Sequence, residues 1–370
     1  MRHAPAPLLA ALLPFAPTLA GASPNDLAHL SDEFAHPGSI QAWSRIEFIE
    51  QWNASQLEVH DVDLTTPGAM TMVPFTVSWF QNYRGPFVFK PVEGDFVFTV
   101  HLTVSGRDGV SVPQSQYSLA GAFIRAPRDI TPDTWTAGGE NYVFLSLGHG
   151  DTTPPSWQHE IKTTENSDSQ LFLTPAPGPT ATLQIARIGD AVICLRRAPG
   201  QSWQVHGRFH RDDFPQTLQV GVVTYTDWLK CQIFDPFTHN STTLTLPLPD
   251  GVNDPNPFIP FAPDLIARFD FARFARPQVP AELAGLDLSD PGQVPDAALL
   301  AFLGESAHSP APPCPGDTNG DRTVNFADLN TVLGQFNETG DGLFGDLDGD
   351  GDVDFGDLNL VLSGFNQPCR

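Results

Sequence analysis

The feature that constrains this chain most is an acidic 12-residue segment that occurs twice near the C-terminus. The first copy runs from Asp317 to Asp328 as DTNGDRTVNFAD, and the second runs from Asp346 to Asp357 as DLDGDGDVDFGD, 29 residues later. Oxygen-bearing side chains recur in both copies at positions 1, 3, 5, 9 and 12. Calcium takes roughly six to eight oxygen ligands, which a 12-residue loop supplies from these positions and from the backbone carbonyl at position 7. The repeat therefore predicts two calcium-binding loops.

The predicted calcium ligands are distributed over both loops. They are Asp317, Asn319, Asp321, Thr323, Asn325, Asp328, Asp346, Asp348, Asp350, Asp352, Asp354 and Asp357. Position 6, where glycine makes the sharp turn of such a loop, is Gly351 in the second copy but Arg322 in the first. We therefore expect weaker calcium binding at the first loop.

An apolar pattern with helical spacing follows each loop, from Leu329 to Phe336 and from Leu358 to Phe365, so one short helix is expected after each. Because spacing, ligand type and helix all repeat, residues 314–370 resemble the type I dockerin family, and specifically the dockerin-like repeats at the ends of secreted bacterial proteins. The resemblance implies a small α-helical calcium module that docks to a cohesin-like or other protein partner.

The resemblance is not complete at the partner-selecting positions. Loop positions 10 and 11, which help to choose the cohesin in that family, are Phe326-Ala327 and Phe355-Gly356 rather than small hydroxyl residues. The rival interpretation of the acidic repeat is a solvated tail, but a disordered tail would lack the doubled, in-register apolar pattern. A core this small seldom supplies more than ~3 to 5 kcal/mol, so we expect calcium and a Cys314–Cys369 disulfide to decide whether the module folds.

The N-terminus has the features of an export signal. Arg2 supplies a positive charge, Leu8 to Leu13 is apolar, and Ala20-Gly21-Ala22 is a small-residue cleavage site, so residues 1–22 are predicted to be a signal peptide. No later stretch approaches the ~18 to 20 consecutive apolar residues that span a bilayer. The mature protein is expected to be secreted, extracellular or at the cell surface, without a membrane span.

Export permits disulfides, and the chain has four cysteines. Three pairings are formally possible, of which we expect Cys194 with Cys231 and Cys314 with Cys369, because each pair then stays within one domain. A zinc site is the rival interpretation, but zinc ligands usually come in closely spaced pairs and these cysteines have no such neighbour. The net charge of −24 repels phosphate backbones, so nucleic acid is not expected as a partner.

Residues 23–276 have the pattern of a mainly β domain. Phe96 to Val104 alternates apolar and mostly polar side chains, which is typical of a half-buried strand. Further strands are predicted at Thr182–Ile188, Ala191–Arg197, Thr217–Thr226 and Ile266–Phe274, the first two forming a hairpin around Gly189-Asp190. Many short strands separated by Gly, Pro and Asp turns indicate a two-sheet sandwich.

Short motifs in this domain carry a second resemblance. The run WFQNYRGPFVFK from Trp79, the triplet Gly94-Asp95-Phe96 and the run AGAFIR from Ala120 resemble secreted jelly-roll domains of the concanavalin A-like lectin and glucanase superfamily. The resemblance covers roughly residues 30–276 and implies glycan binding or glycan cleavage. Residues 277–313 contain seven prolines and are predicted to be a linker, in which only Asp296 to Gly304 has a helical pattern.

Glycan cleavage requires two carboxylates that face a groove. The Glu-x-Asp-x-x-Glu strand signature of the superfamily's glucanases is absent, and the nearest approach, Asp61 with Asp63, is better explained as two exposed turn acids. Four further residues that could form a metal site lie close together in sequence: His149, Asp151, His159 and Glu160. Pro154 and Pro155 interrupt them and no His-Glu-x-x-His helix is present, so this segment is predicted to be a polar loop. No catalytic residue is therefore assigned.

Sugar binding uses flat aromatic faces beside amide or carboxyl groups. The candidate ligand-binding residues are Trp79, Gln81, Asn82, Tyr83, Trp135 and Trp157. We interpret the chain as a secreted, non-catalytic protein with a glycan-recognising β-sandwich and a calcium-dependent docking module, and we expect it to be linked to polysaccharide breakdown. A glycoside hydrolase or lyase with unrecognised groove acids and a structural cell-surface protein remain open as alternatives.

Overall fold

The computed structural model describes residues 26–307, 314–319, 323–340, 343–348 and 351–366. The predicted signal peptide, residues 1–22, and the end of the predicted linker, residues 308–313, lie outside these ranges. Within them the chain is mainly β, with two antiparallel sheets of seven strands each and a few short helices. The predicted two-sheet sandwich is confirmed.

The two sheets draw their strands from different parts of the chain. The first sheet consists of β1 (Ser44–Arg45), β4 (Phe87–Glu93), β6 (Ser118–Arg125), β7 (Tyr142–His149), β8 (Gln158–Glu165), β9 (Asp168–Pro175) and β13 (Thr217–Tyr225). The second consists of β2 (Leu57–Val62), β3 (Met70–Pro74), β5 (Phe96–Ser105), β10 (Thr180–Ile188), β11 (Ala191–Arg197), β12 (Gln204–His210) and β14 (Ile266–Ala275). Their orders are β1-β4-β13-β6-β7-β8-β9 and β12-β11-β10-β5-β14-β3-β2.

The main core lies between the two sheets. The alternation that predicted strand β5 is confirmed, because its five apolar positions are completely buried in this core. They are Phe96, Phe98, Val100, Leu102 and Val104. The predicted hairpin is confirmed as β10 and β11, which pair in register from Ile188 and Ala191 outward. Gly189 in the turn has φ +57°, a conformation that glycine adopts without a steric penalty.

The outer faces of both sheets are covered as well. On the first sheet a second apolar cluster includes Trp79, Phe123 and Tyr142. On the second sheet, Ile193 and Leu195 pack against five buried residues of the predicted linker segment. These linker residues are Leu288, Val294, Leu299, Phe302 and Leu303. Strand β11 is apolar on both faces, which explains why both of its sides are packed.

Six short α-helices are present in the described residues. They are α1 (Ile46–Ile49), α2 (Trp228–Cys231), α3 (Pro236–Ser241), α4 (Asp296–Leu300), α5 (Phe326–Gln335) and α6 (Phe355–Gly364). Helices α5 and α6 follow the two acidic loops as predicted but begin three residues earlier, because Asn325 and Asp354 cap them through capping boxes with Asp328 and Asp357. Among the described helices, none has both the length and the apolar character needed to cross a bilayer.

The predicted Cys194–Cys231 disulfide is wrong, because both residues are free thiols. Cys194 lies in the core between the sheets, and the Cys231 thiol at the end of α2 contacts the carbonyl oxygen of Thr226 at 3.6 Å. Each thiol packs as a small apolar group, and burial raises the pKa of both. The Cys314–Cys369 pair stays a prediction, since Cys369 lies outside the described residues.

Candidate functional site

Three carboxylates of the second acidic loop converge on one point. One oxygen each from Asp346, Asp348 and Asp357 lies within 4.8 Å of the others. All three were predicted from sequence to be ligands at loop positions 1, 3 and 12. Asp357 is completely buried, whereas Asp348 is exposed, so the group lies between the helix start and the surface.

The Asp357 carboxylate also organises the loop. Its Oδ1 accepts hydrogen bonds from the backbone N–H groups of Leu347 at 2.6 Å and Asp348 at 3.2 Å, and its Oδ2 accepts one from Asp354 at 2.8 Å. Gly351 turns the chain with φ +93°, and its N–H donates to Oδ2 of Asp346 at 3.0 Å. A side chain at this turn would be strained, which explains the glycine at position 6.

The first loop is built on the same scaffold. Oδ1 of Asp328 accepts from the backbone N–H of Thr318 at 2.8 Å, and its Oδ2 accepts from the N–H of Asn325 at 2.8 Å. Asp321 of this loop, like Asp350 of the second, lies outside the described residues, as does Arg322. The described portion therefore repeats the position-12 geometry of the second loop.

The remaining predicted ligands have local roles as well. Asp352 forms an isolated β-bridge with Thr339, and Asp354 accepts a hydrogen bond from the N–H of Gly356 in its capping role. Asp317, Asn319 and Thr323 lie among the described residues of the first loop. Since the converging groups are all oxygen donors and mostly carboxylates, their chemistry fits a hard divalent cation such as calcium.

Trp79, the first predicted sugar-binding residue, is completely buried. Its ring centroid lies 4.8 Å from that of Phe123 and 5.6 Å from that of Tyr142, and its indole N–H donates to the Pro86 carbonyl at 3.1 Å. The ring thus packs within the outer-face cluster of the first sheet. The structure places this ring in a core.

The residues after Trp79 form hydrogen bonds to three other segments of the sandwich. Gln81 is exposed, and its backbone N–H donates to the Ser169 hydroxyl at 2.9 Å. The Asn82 side chain accepts from the N–H of Gly138 at 2.7 Å. The Tyr83 hydroxyl donates to the Phe234 carbonyl at 2.9 Å. These three residues therefore have structural contacts, and their role in ligand binding stays a prediction.

A pocket of about 80 Å³ opens beside this loop. It is lined by Ser78, Phe80, Tyr117, Lys162, Leu171, Tyr225 and Trp228. The Trp228 ring lies 5.4 Å from Phe80 and 5.5 Å from Tyr83, measured between centroids, so it joins the pocket to the loop that the sequence singled out. Sequence reasoning missed Trp228 because its role depends on α2 folding back over the sheet.

A buried ion pair lies at this pocket. Nζ of Lys162 is 2.9 Å from Oε1 of Glu160 and donates to the Trp79 carbonyl at 2.8 Å. The Tyr225 hydroxyl donates to the other Glu160 oxygen at 3.2 Å. Burial lowers the pKa of Lys162, and the negative charge of Glu160 opposes this shift. The pocket therefore combines aromatic walls with a charge-compensated polar base.

The polar loop predicted around His159 and Glu160 is wrong, because both residues lie in strand β8 and are buried. His149 ends strand β7, while Asp151 follows in an exposed turn. The prediction of two exposed turn acids is wrong for Asp61, which lies in strand β2 and pairs with Thr71, whereas Asp63 lies in the bend after that strand; both are only partly exposed. Oδ1 of Asp61 accepts from the N–H of Thr65 at 3.0 Å, and Oδ1 of Asp63 accepts from that of Gly68 at 2.6 Å.

The last two predicted aromatic residues have different surroundings. Trp135 is partly exposed, with its ring centroid 6.4 Å from Trp52 and 5.9 Å from Phe237. Phe237 is 43% exposed, so these rings form a partly solvent-facing aromatic group. Trp157 packs instead against the core between the sheets. Only Trp135 of the two thus belongs to an aromatic surface.

Comparison with known proteins gives distant likenesses only. No family model matches the chain, and no curated protein is detectably similar to it. A GH43 protein from Bacillus licheniformis is 13% identical with a TM-score of 0.42, and the match covers 71% of this chain and 42% of that one. The chain thus spans less than half the length of that protein.

Two further solved structures are matched over most of their own length. The lectin from Bauhinia forficata, in complex with GalNAc, is 12% identical with a TM-score of 0.34, over 56% of this chain and 86% of the lectin. A prokaryotic β-1,3-1,4-glucanase (lichenase) derived from a mouse hindgut metagenome is 10% identical with a TM-score of 0.36, over 66% of this chain and 98% of the glucanase. At these identities and TM-scores, the likenesses do not establish a family for this chain.

Proposed function

We propose that this chain is a secreted, non-catalytic glycan-binding protein whose C-terminal module holds calcium and docks to a protein partner. The convergence of Asp346, Asp348 and Asp357 within 4.8 Å carries the calcium part of the proposal. Three carboxylates this close repel one another unless positive charge is supplied between them. A calcium ion supplies that charge and is suited to an all-oxygen ligand set.

The docking role is supported by what the module exposes. Phe326 and Leu333 on α5 are 66% and 52% exposed, and the equivalent Phe355 and Leu362 on α6 are 67% and 53% exposed. Apolar side chains repeated at equivalent positions of two helices offer a surface that a protein partner can cover. The dockerin resemblance makes a cohesin-like protein the partner that we propose.

The glycan-binding role is supported by the pocket at Phe80, Tyr117 and Trp228. Aromatic rings pack on the apolar faces of sugars, while the hydroxyls of Ser78 and Tyr117 in the pocket lining offer polar groups to a sugar. The pocket is small, about 80 Å³, so it fits the edge of one sugar unit rather than a whole chain. A concanavalin A-like, jelly-roll relationship of the sandwich is part of this proposal.

The glycan proposal is tested by retention of the full chain on a panel of insoluble polysaccharides, with the supernatant assayed for released sugars. We expect saturable retention without release, and loss of retention in Trp228→Ala. The matched control is Phe258→Ala, because Phe258 is 94% exposed and does not line the pocket. Released oligosaccharide would favour the hydrolase or lyase alternative instead. If the chain shows neither retention nor release, the structural cell-surface role is the alternative that remains.

The calcium proposal is tested separately by calorimetric titration of the full chain. We expect two binding events of unequal affinity, with the tighter event lost in Asp357→Asn. Glu338→Gln is the control within the same module, because Glu338 is exposed and outside both loops. Equal heats for the two variants would contradict calcium binding at the second loop.

A further inference from the structure

We propose that the sandwich has a binding site for a small oxyanion at the edge where β8 and β9 of the first sheet face β11 and β12 of the second. Four side chains, one from each strand, form it: His159, Thr174, Arg196 and His206. This site lies between the sheets and is separate from both the calcium loops and the aromatic pocket.

Strand geometry brings three of these side chains to one side. Ile161 of β8 belongs to the core between the sheets, so His159, two residues earlier, points to the same space. Thr174 is paired directly with His159 across β8 and β9 and therefore shares its face. Arg196 stands two residues after the core residue Cys194 on β11, which again puts both on one face.

The fourth side chain arrives through a β-bulge. In β12, Gly207 pairs with Cys194 and Val205 pairs with Leu195, so His206 is the extra residue between them. A bulge redirects the side chain of the inserted residue. The His206 ring consequently meets His159 of the opposite sheet, with centroids 5.9 Å apart and planes inclined by 60°.

One polar atom of each of these side chains lacks a hydrogen-bond partner within the described part of the chain. Nδ1 of His159, Nε2 of His206, Nε of Arg196 and Oγ1 of Thr174 are all buried without a hydrogen bond. His159 as a whole is only 1% exposed. An unpaired buried polar group costs free energy, and a partly buried guanidinium without a carboxylate costs more. Four such groups at one place indicate a site built for a ligand.

The local charge selects the kind of ligand. Burial and then the positive charge of Arg196 lower the pKa of His159 to about 3, and the same two causes lower that of His206 to about 4. Both rings are therefore neutral at pH 7, and Arg196 supplies the fixed charge. A metal cation would be repelled by that charge, whereas an oxyanion accepts hydrogen bonds from the Arg196 guanidinium, the Thr174 hydroxyl and a protonated Nε2 of His206, while the His159 ring, which donates to the Ser146 carbonyl, lines the site. The burial of His159 favours a free inorganic ion over a polymer.

The experiment titrates inorganic sulfate and phosphate, at millimolar concentration in chloride buffer of matched ionic strength, into the full chain at pH 7. We expect saturable heat in calorimetry and a saturable rise in Tm. Arg196→Gln and His206→Gln should each weaken binding at least ten-fold. His101→Gln should leave it unchanged, because His101 is a partly exposed residue paired with Asp270 on another part of the second sheet.

Three outcomes decide the proposal. Absence of saturable heat with the unmodified chain overturns it, as does an equal Tm rise in Arg196→Gln, which would be a general salt effect. If Arg196→Gln does not fold, Thr174→Val and His206→Gln provide the same comparison. Tighter binding of glucuronate than of sulfate would keep the site but assign its oxyanion to an acidic sugar. None of these results depends on polysaccharide retention, so this site and the proposed function can fail independently.

Discussion

Nζ of Lys162 lies 2.9 Å from Oε1 of Glu160, and both side chains are buried on the outer face of the first sheet. Removing one member leaves an uncompensated buried charge. We therefore expect Glu160→Gln to lower the free energy of unfolding by about 3 to 5 kcal/mol. The control is Glu58→Gln, whose partner Arg107 is at the surface and whose loss should cost less than about 1 kcal/mol. Urea denaturation measures both, and equal effects would contradict the prediction.

Trp79 should act on stability rather than directly on ligand binding, since its ring is completely buried. We expect Trp79→Ala to lower the free energy of unfolding by about 3 to 5 kcal/mol, because it leaves a cavity beside Phe123. Trp228 is partly exposed, so Trp228→Ala should cost less stability while removing polysaccharide retention. Denaturation and retention assays on both variants test this assignment of roles. A larger loss of stability in Trp228→Ala than in Trp79→Ala would contradict it.

Calcium removal should unfold the C-terminal module selectively. Among the described residues of the module, four valines are buried, Val324, Val332, Val353 and Val361, and we expect so small a core to need calcium to hold α5 and α6 against the repulsion of the loop carboxylates. A chelator is expected to reduce the far-ultraviolet helical signal while the near-ultraviolet signal of the sandwich tryptophans stays. A helical signal that does not change on chelation would count against calcium-dependent folding.

Thiol titration tests the corrected cysteine assignment. Cys194 and Cys231 are buried and their thiol pKa values are raised, so neither should react with a thiol reagent in the folded protein. In denaturant without reductant we expect two reactive thiols per chain, if Cys314 and Cys369 are paired as predicted. Four reactive thiols would disprove that pair. A count of zero reactive thiols would show that Cys194 and Cys231 form a disulfide after all.

Stability should decrease as the pH falls through the mildly acidic range. Burial lowers the pKa of His60 and His159 to about 3 and that of His206 and His239 to about 4, from an ordinary value of 6.5. The unfolded chain therefore binds these protons near pH 6.5, while the folded chain does so only near pH 4 and below. Unfolding takes up as many as four protons in between, which favours the unfolded state.

The measurement for this pH effect is the urea midpoint between pH 7 and pH 4 in buffer free of sulfate and phosphate. His60→Gln should reduce the slope by about one proton. A midpoint that is constant over this range would contradict the burial of these imidazoles.

Much of the architecture could be predicted because it depends on local pattern. The alternation at Phe96 to Val104, the turn at Gly189 and the apolar spacing after each acidic loop each have one dominant physical cause. The carboxylates at Asp346, Asp348 and Asp357 were predictable for the same reason, since a 12-residue loop brings its own ligands together.

Other assignments failed or were missed because they depend on contacts distant in sequence. Nothing local distinguishes Trp79, which is buried under the loops of the first sheet, from Trp228, which lines a pocket. Cys194 and Cys231 have a plausible separation, but their elements bury them as separate thiols. The rings of His159 and His206 come together because a bulge in β12 redirects the His206 side chain toward the opposite sheet.

The sequence by itself determined the strand pattern, the presence of one helix after each acidic loop and the convergence of carboxylates in the second loop, since hydrophobic period and loop spacing act within about a dozen residues. The tertiary structure alone decided which aromatic rings face solvent, which charges are paired and which strands face each other. These outcomes follow from packing two sheets together, where the neighbours of a side chain such as Lys162 or Arg196 come from strands far apart in the chain.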